Sequence, residues 1–191
     1  MIPDARKLLA KNILGRLMVI RVGFKIEDKR FSAFQTTYIR VLAKVTANYQ
    51  AARLDYLQSL ETPEIFNYFS IANKLEDLIS DLKRLGEIYN CIKYVGIFTK
   101  QSRLSRKLLE AKAKMESRAI LDMRNSIQHI ASDIFNHSLK NNLAPFFTAD
   151  GDLIKYSTYE LKINDIYKLI NTHYAIADEL LEIVAKDNQK N

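Results

Sequence analysis

Residues 28–61, DKRFSAFQTTYIRVLAKVTANYQAARLDYLQSLE, decide the fold class of this chain. Their apolar side chains recur at steps of three and four, which keeps one face of an α-helix apolar. The stripe consists of Phe31, Phe34, Tyr38, Val41, Leu42, Val45, Tyr49, Ala52 and Tyr56. Because no Gly or Pro interrupts this stretch, it predicts one long amphipathic helix.

The rest of the chain follows the same helical pattern. Its 191 residues include only 5 Gly and 3 Pro, and 48% are hydrophobic, so we expect a single domain over 1–191 with a sizeable core. Further helices are predicted at 4–22, from Pro63 to Val95, at 103–139 and at 164–187. Short turns between long helices indicate an all-α, up-and-down antiparallel bundle. The expected order is an N-terminal helical region (1–27), a three-helix core region (28–139), a hairpin (144–157) and the C-terminal helix (164–187).

Local signals suggest where three of these helices begin or end. The first helix, with Gly23 as its stop, carries an apolar stripe. That stripe consists of Leu8, Leu9, Ile13, Leu17 and Ile20. Thr62-Pro63-Glu64 reads as an N-cap, a first-turn Pro and a first-turn acid, and Asn164-Asp165 reads as the cap of the last helix.

A change of pattern precedes the last helix. Residues 144–157 hold two short apolar runs around Asp150-Gly151, and Asp-Gly favours the positive φ that tight turns need. We therefore expect a small β-hairpin here. An irregular loop is the alternative.

Several features bear on the protein's compartment. Cys91, the single cysteine, lies in an apolar stretch, so we expect a buried thiol in a reduced cytosol. No secretory signal is visible, and no apolar run is long enough to span a membrane. We expect a cytoplasmic protein without a membrane partner.

The net charge of +7 is unevenly distributed. Residues 98–118 carry 7 Lys/Arg against 2 Asp/Glu, a local excess of +5. A basic block of this kind attracts polyanions, so we predict an RNA-binding surface here, with a plain solvated helix face as the alternative. The predicted RNA-binding residues are Arg103, Arg106, Lys107, Lys112, Lys114 and Arg118.

The basic block leads into Arg124-Asn125-Ser126-Ile127-Gln128-His129 on the predicted helix 103–139. Asn125 and His129 are four residues apart and share one face of this helix. They lie nearly opposite the predicted core stripe of Ile120, Met123, Ile127, Ile130 and Ile134. Arg124 is rotated by about 140° from His129. Its side chain must reach around the helix to join them, or else pair with a carboxylate on another helix.

These three residue types suit the cleavage of RNA. A His, with an ordinary pKa of about 6.5, can take or give a proton near neutral pH. A guanidinium can bind two non-bridging phosphate oxygens as charge builds on them. An Asn can orient the His or donate its amide to the phosphate. We therefore assign Arg124, Asn125 and His129 as candidate catalytic residues.

The Arg-Asn-x-x-x-His spacing resembles the signature of the HEPN superfamily, all-helical proteins that include metal-independent RNA-cleaving toxins and antiphage nucleases. The resemblance implies that Arg124, Asn125 and His129 carry activity and that two motif helices combine across a homodimer. It implies RNA as substrate, 2′,3′-cyclic phosphate product ends, and room for an antitoxin protein as partner. The hairpin is also similar to that of some bacterial members. Other members only bind nucleic acid or small ligands, so a catalytically inactive RNA-binding or regulatory module is the alternative.

No metal site or cofactor is expected. The chain has one Cys, its three His are not spaced as ligands, and it has no Gly-rich phosphate-binding loop. His173 lies mid-helix near the core face, so we expect a packed, hydrogen-bonded residue there and not a ligand.

Overall fold

The computed structural model of the chain describes residues 2–23, 29–94, 118–129, 135 and 144–188. The fold is predominantly helical with packed helices, which confirms the predicted class. The helices are α1 (Arg6–Leu9), α2 (Ile13–Gly23), α3 (Lys29–Glu61), α4 (Ile65–Asn90), α5 (Arg118–Gln128) and α6 (Ile163–Asn188), with a 3-10 turn at Cys91–Tyr94. The strands are β1 (Phe146–Phe147), β2 (Leu153–Tyr156) and β3 (Tyr159–Lys162).

Helices α3 and α4 form an antiparallel pair that supplies much of the core. The direction follows from two ion pairs, Lys74 with Asp55 near the connecting turn (2.5 Å) and Lys44 with Asp81 farther away (2.9 Å). The apolar stripe predicted for α3 is mostly buried, and α4 adds buried leucines between the two helices. The prediction of a long helix over 28–61 is confirmed within one residue.

Helix α6 closes the core on the other side of α3. Its inward residues Leu169, Ile170, Ala177 and Leu180 are buried. The buried Gln35 of α3 donates its amide to the Leu180 carbonyl at 3.0 Å, which ties the two helices together. The helix begins at Ile163, directly after β3, so Asn164 lies inside it and the predicted Asn164-Asp165 cap is wrong.

The predicted single helix over 4–22 is wrong, because the chain breaks between α1 and α2. Asn12 has a positive φ of 45°, which ends helical geometry there. Its side-chain oxygen accepts a hydrogen bond from the Gly15 N–H at 3.2 Å and so caps the start of α2. Leu8, Ile13 and Leu17 are buried as expected, whereas Leu9 is exposed.

Helix α4 starts later than the sequence suggests. Its N-cap residue is Glu64, which has extended backbone angles and makes no side-chain capping bond. Thr62 and Pro63 therefore lie in the turn before the helix, and the predicted cap at Thr62 is wrong. The side-chain amide of Asn67, in the first turn of α4, donates to the Thr62 carbonyl at 3.1 Å and so stabilises the turn before the helix.

The hairpin before the last helix is confirmed, and it carries a third strand that was not predicted. The antiparallel order is β1-β2-β3, with Phe147 opposite Ile154 and Ile154 opposite Leu161. Gly151 has a φ of 66°, as the Asp-Gly signal requires. The second turn, at 157–158, was missed because it contains neither Gly nor Asn; Ser157 takes the positive φ there.

Cys91 is exposed, so the prediction of a buried thiol is wrong. It follows the buried Tyr89 by two residues, a rotation of about 200° that turns it away from the core. Its Sγ donates to the Glu87 carbonyl at 3.4 Å. Across the ranges described, no helix combines the length and apolar character needed to cross a membrane.

Candidate active site on the motif helix

Helix α5 carries the Arg-Asn-x-x-x-His motif and packs against α4 and β3. Ile120 and Met123 are buried and Ile127 packs half-buried against the same core. This is the inner stripe that the helical spacing predicts. Its other two members, Ile130 and Ile134, lie outside the described residues. Strand β3, which was not predicted, therefore supports one side of the motif helix.

The two polar motif residues lie away from that core. Asn125 is half-buried and His129 is exposed. The His129 N–H donates to the Asn125 carbonyl at 3.0 Å, so helical hydrogen bonding extends through His129. The two side chains therefore start one turn apart on the same face of a helix whose opposite face is anchored in the core. A ligand can reach His129 from solvent.

Arg124 is joined to the motif through Asn125. Its guanidinium Nη1 donates to the Asn125 side-chain oxygen at 3.2 Å, and its side chain is half-buried. The long side chain thus bends back along the helix surface, toward the polar face. This bond joins Arg124 to Asn125, one of the two residues that its side chain must reach to take part in the site.

The Arg124–Asn125 bond also limits what the amide can offer. The Asn125 oxygen accepts from Arg124, so the group it presents to a ligand is its NH₂, which is a donor. A guanidinium and an amide N–H at adjacent positions form a surface suited to anionic oxygens. The chemistry of this face is that of a phosphate or carboxylate site next to an exposed imidazole.

The basic block is described only at its end. Arg118 is almost fully exposed and forms an i,i+4 ion pair with Asp122 at 3.5 Å. Exposed pairs of this kind contribute little to stability, so a phosphate could displace Asp122 at small cost. The other predicted RNA-binding residues lie outside the described residues; they are Arg103, Arg106, Lys107, Lys112 and Lys114.

His173 has a structural role. It is fully buried in α6, and its Nδ1 lies 2.5 Å from the Tyr38 hydroxyl of α3. Burial lowers the pKa of His173 to about 3, so its imidazole is neutral near pH 7. This confirms the expectation of a packed, hydrogen-bonded histidine. Within the described ranges, no group of three or more His, Cys, Asp or Glu could hold a metal ion.

A groove of about 420 Å³ lies between α3, α4 and β1, away from the motif. We name it the aromatic groove. Its lining residues are Tyr56, Ser59, Pro63, Glu64, Ile65, Tyr68, Ile71, Phe146 and Phe147. Sequence reasoning missed it. The available signal was the run Ile65-Phe66-Asn67-Tyr68-Phe69, which is too broadly apolar for one face of a helix.

No protein-family model, curated protein or solved structure matches this chain.

Proposed function

We propose that this protein is a metal-independent endoribonuclease of HEPN type, acting in the cytoplasm as a toxin or antiphage effector. Arg124, Asn125 and His129 from two motif helices meet in the cleft of a homodimer. The observation that carries the proposal is the Arg124–Asn125 hydrogen bond on a helix face that also presents the exposed His129. No cofactor takes part, and an antitoxin protein is a natural partner for such an enzyme.

The reaction is an in-line transfer at phosphorus. The ribose 2′-oxygen attacks the adjacent phosphorus atom and loses its proton to a base, while the P–O5′ bond breaks and the 5′-oxygen gains a proton from an acid. The products are a 2′,3′-cyclic phosphate and a 5′-hydroxyl. His129 suits either proton transfer because imidazole exchanges protons near neutral pH.

Two chains are needed because one motif helix supplies one histidine. The reaction needs a base and an acid at opposite sides of the phosphorus atom. A two-fold dimer places the same residue of each chain around one axis, and so provides two imidazoles and two guanidinium groups. The exposure of His129 supports this arrangement, since a shared cleft requires motif side chains that reach beyond their own protomer.

Arg124 takes the role that a metal ion has in other nucleases. Negative charge accumulates on the non-bridging oxygens in the transition state, and a fixed guanidinium stabilises it without moving. Asn125 fixes that guanidinium through its side-chain oxygen, and it can add an amide N–H to the same phosphate. We place Asn125 as a positioning residue first and as a phosphate ligand second.

The test compares wild type with His129→Ala on total cellular RNA in excess EDTA. Gln128→Ala is the matched control, because Gln128 is the exposed neighbour of His129 on the same turn. We expect wild type and Gln128→Ala to cleave equally and His129→Ala to be inactive, with equal thermal melts for all three. Equal cleavage by His129→Ala would refute the assignment of His129.

The second candidate function is an inactive HEPN-like module that binds RNA or a regulatory partner. The basic block beside the motif favours it, because Arg118 and its neighbours could bind a phosphate backbone without any catalysis. Salt-sensitive RNA binding by wild type and His129→Ala alike, with cleavage by neither, would support this function over the enzyme.

A further inference from the structure

The dimer in the proposed function needs an apolar contact outside the motif. Arg124, Asn125 and His129 form a small polar surface, whereas a stable dimer commonly buries about 800 Å² on each partner around an apolar centre. The association must therefore be held by other surfaces. Two exposed apolar surfaces are present in the described part of the chain, and the charged residues around them have opposite sign.

The first surface is the outer face of α2. Ile13 and Leu17 point into the core, yet Leu14, Met18, Val19 and Val22 on the other side are 42–86% exposed. The apolar side chains of α2 therefore lie on all sides of the helix, and a helix with this pattern is usually covered on all sides. At about 1.5 Å per residue, its 11 residues present a ridge of roughly 16 Å.

The two arginines of α2 do not occupy that ridge. Arg16 forms an ion pair with Asp178 of α6 at 2.5 Å, and Arg21 donates to Thr36 of α3 at 2.6 Å. Both side chains reach back toward their own protomer. The outer face of α2 is therefore a ridge of Leu, Met and Val with basic edges.

The second surface is the aromatic groove. Its floor and walls include Tyr56, Tyr68, Phe146 and Phe147, so aromatic rings dominate it. Phe69 extends it, since its ring contacts that of Tyr68 with centroids 5.9 Å apart. Ile65, Phe66 and Phe69 are 55–77% exposed on the first turns of α4. Rings of this kind are common at the centre of protein interfaces.

The charges around the two surfaces are complementary. Residues 5–23 contain five Lys/Arg and no Asp or Glu. Arg6 pairs with Asp4, and Lys11 and Arg16 share Asp178, so the segment keeps a net positive charge. Residues 56–71, which line or border the groove, contain Glu61 and Glu64 and no Lys or Arg; residues 144–154 add Asp150 and Asp152. The surroundings of the groove are therefore acidic on a chain whose net charge is +7, so the groove repels nucleic acid and attracts a basic apolar segment.

We propose that the outer face of α2 of one chain docks into the aromatic groove of a second copy. The ridge of Leu14, Met18 and Val22 supplies the apolar side chains, and the net positive charge of residues 5–23 lies toward Glu61 and Glu64. Pairing α2 with α2 would instead bring two strongly basic segments together. This inference rests on the proposed function only in that it identifies the contact that holds the dimer.

Two variants separate the two halves of this contact. An α2 variant carries Met18→Ser and Val22→Ser, and a groove variant carries Ile65→Ser and Phe69→Ser. All four side chains are exposed, so both variants keep the core intact. Leu54→Ser is the control, since Leu54 is an exposed leucine of α3 two residues from Tyr56 and so on the opposite side of that helix.

Self-association is measured by sedimentation velocity across a concentration series. We expect each double variant to raise the dimer Kd by about tenfold or more, and Leu54→Ser to leave it unchanged. A two-fold dimer makes this contact twice, and a mixture of the two double variants has one intact contact, between the unchanged α2 of the groove variant and the unchanged groove of the α2 variant. The mixture should therefore form a 1:1 dimer more tightly than either variant alone and less tightly than wild type. Added salt should weaken this mixed dimer.

Three results would overturn the inference. They are wild-type behaviour of both double variants, failure of the mixture to associate, and a wild type that stays monomeric at about 100 µM. The dimer measurements and the RNA-cleavage assay together separate this inference from the proposed function. If both double variants dimerise more weakly and wild type does not cleave RNA, the enzyme alone is refuted. If wild type cleaves RNA and both double variants dimerise as wild type does, the α2–groove contact alone is refuted.

Discussion

Arg124 Nη1 and Asn125 Oδ1 lie 3.2 Å apart and share a hydrogen bond on the outward side of α5. Two adjacent residues of a helix point about 100° apart, so this bond depends on the length of the arginine side chain. It makes the pair one unit, in which the amide sets the direction of the guanidinium. Any change to Asn125 is therefore also a change to the position of Arg124.

We expect Asn125→Ala to lower RNA cleavage by about 100-fold with little change in RNA affinity, since it releases Arg124 without removing its charge. Asn125→Asp should also lower cleavage. Its carboxylate would pair with Arg124 and repel phosphate, so RNA affinity should fall as well. Single-turnover rates and filter binding on the same RNA measure the two effects. Equal binding losses in both variants would contradict the positioning role.

Arg124→Lys keeps the charge but loses the planar fork of donors. A lysine cannot hold Asn125 Oδ1 and contact two phosphate oxygens in the same geometry. We expect cleavage to fall by about 100-fold or more, while the salt dependence of RNA binding stays near that of wild type. A lysine variant with wild-type cleavage would mean that Arg124 contributes charge alone.

The buried His173 makes the folded protein sensitive to acid. Desolvation lowers its pKa to about 3, whereas the unfolded chain binds that proton near pH 6.5. A depressed histidine pKa leaves stability intact above pH 6.5 and removes it progressively as the pH falls toward 3. Between pH 7 and pH 5, this group alone should cost about 2 kcal/mol of unfolding free energy.

Urea unfolding at pH 7 and pH 5 checks this value. His173→Gln cannot titrate in this range, so its free energy of unfolding should fall less between the two pH values than that of wild type. It should start lower at pH 7, because the hydrogen bond to Tyr38 is disturbed. An equal pH dependence in both proteins would show that His173 is not the responsible group.

The break between α1 and α2 requires a positive φ and a capping oxygen, and Asn12 supplies both. We expect Asn12→Ala to destabilise the protein by about 2 kcal/mol, since alanine meets neither requirement. Asn12→Gly should cost less than about 1 kcal/mol, because glycine accepts the backbone angle and loses only the side-chain bond. Equal losses would mean that the cap, and not the backbone angle, dominates at Asn12.

Much of the fold was predictable because long helices leave a strong periodic signal. The stripe from Phe31 to Tyr56 predicted the bounds of α3 within one residue, and the predicted bounds of the last helix differ from the observed ones by one residue at each end. Two of the wrong or missed elements lie where a single residue overrides the periodicity. Asn12 breaks a pattern that is apolar on both sides of it, and Ser157 adopts a positive φ that its residue type does not signal.

The candidate site was predictable in its helical geometry but not in its contacts. The spacing of α5 places Asn125 and His129 opposite Ile120 and Met123, and the burial of these residues agrees. The direction of the Arg124 side chain depends on rotamers, which no periodicity contains. The aromatic groove forms from α3, α4 and β1, which are distant in sequence, so only the fold brings its walls together.

The most direct test of the ribonuclease proposal is the identity of the ends left on a labelled RNA. Wild type and His129→Ala are incubated with it in excess EDTA, and the new termini are identified by mass spectrometry. We predict 2′,3′-cyclic phosphate and 5′-hydroxyl ends with wild type and intact RNA with His129→Ala. Ends bearing 3′-hydroxyl and 5′-phosphate, cleavage that survives in His129→Ala, or intact RNA with both proteins would contradict the proposal.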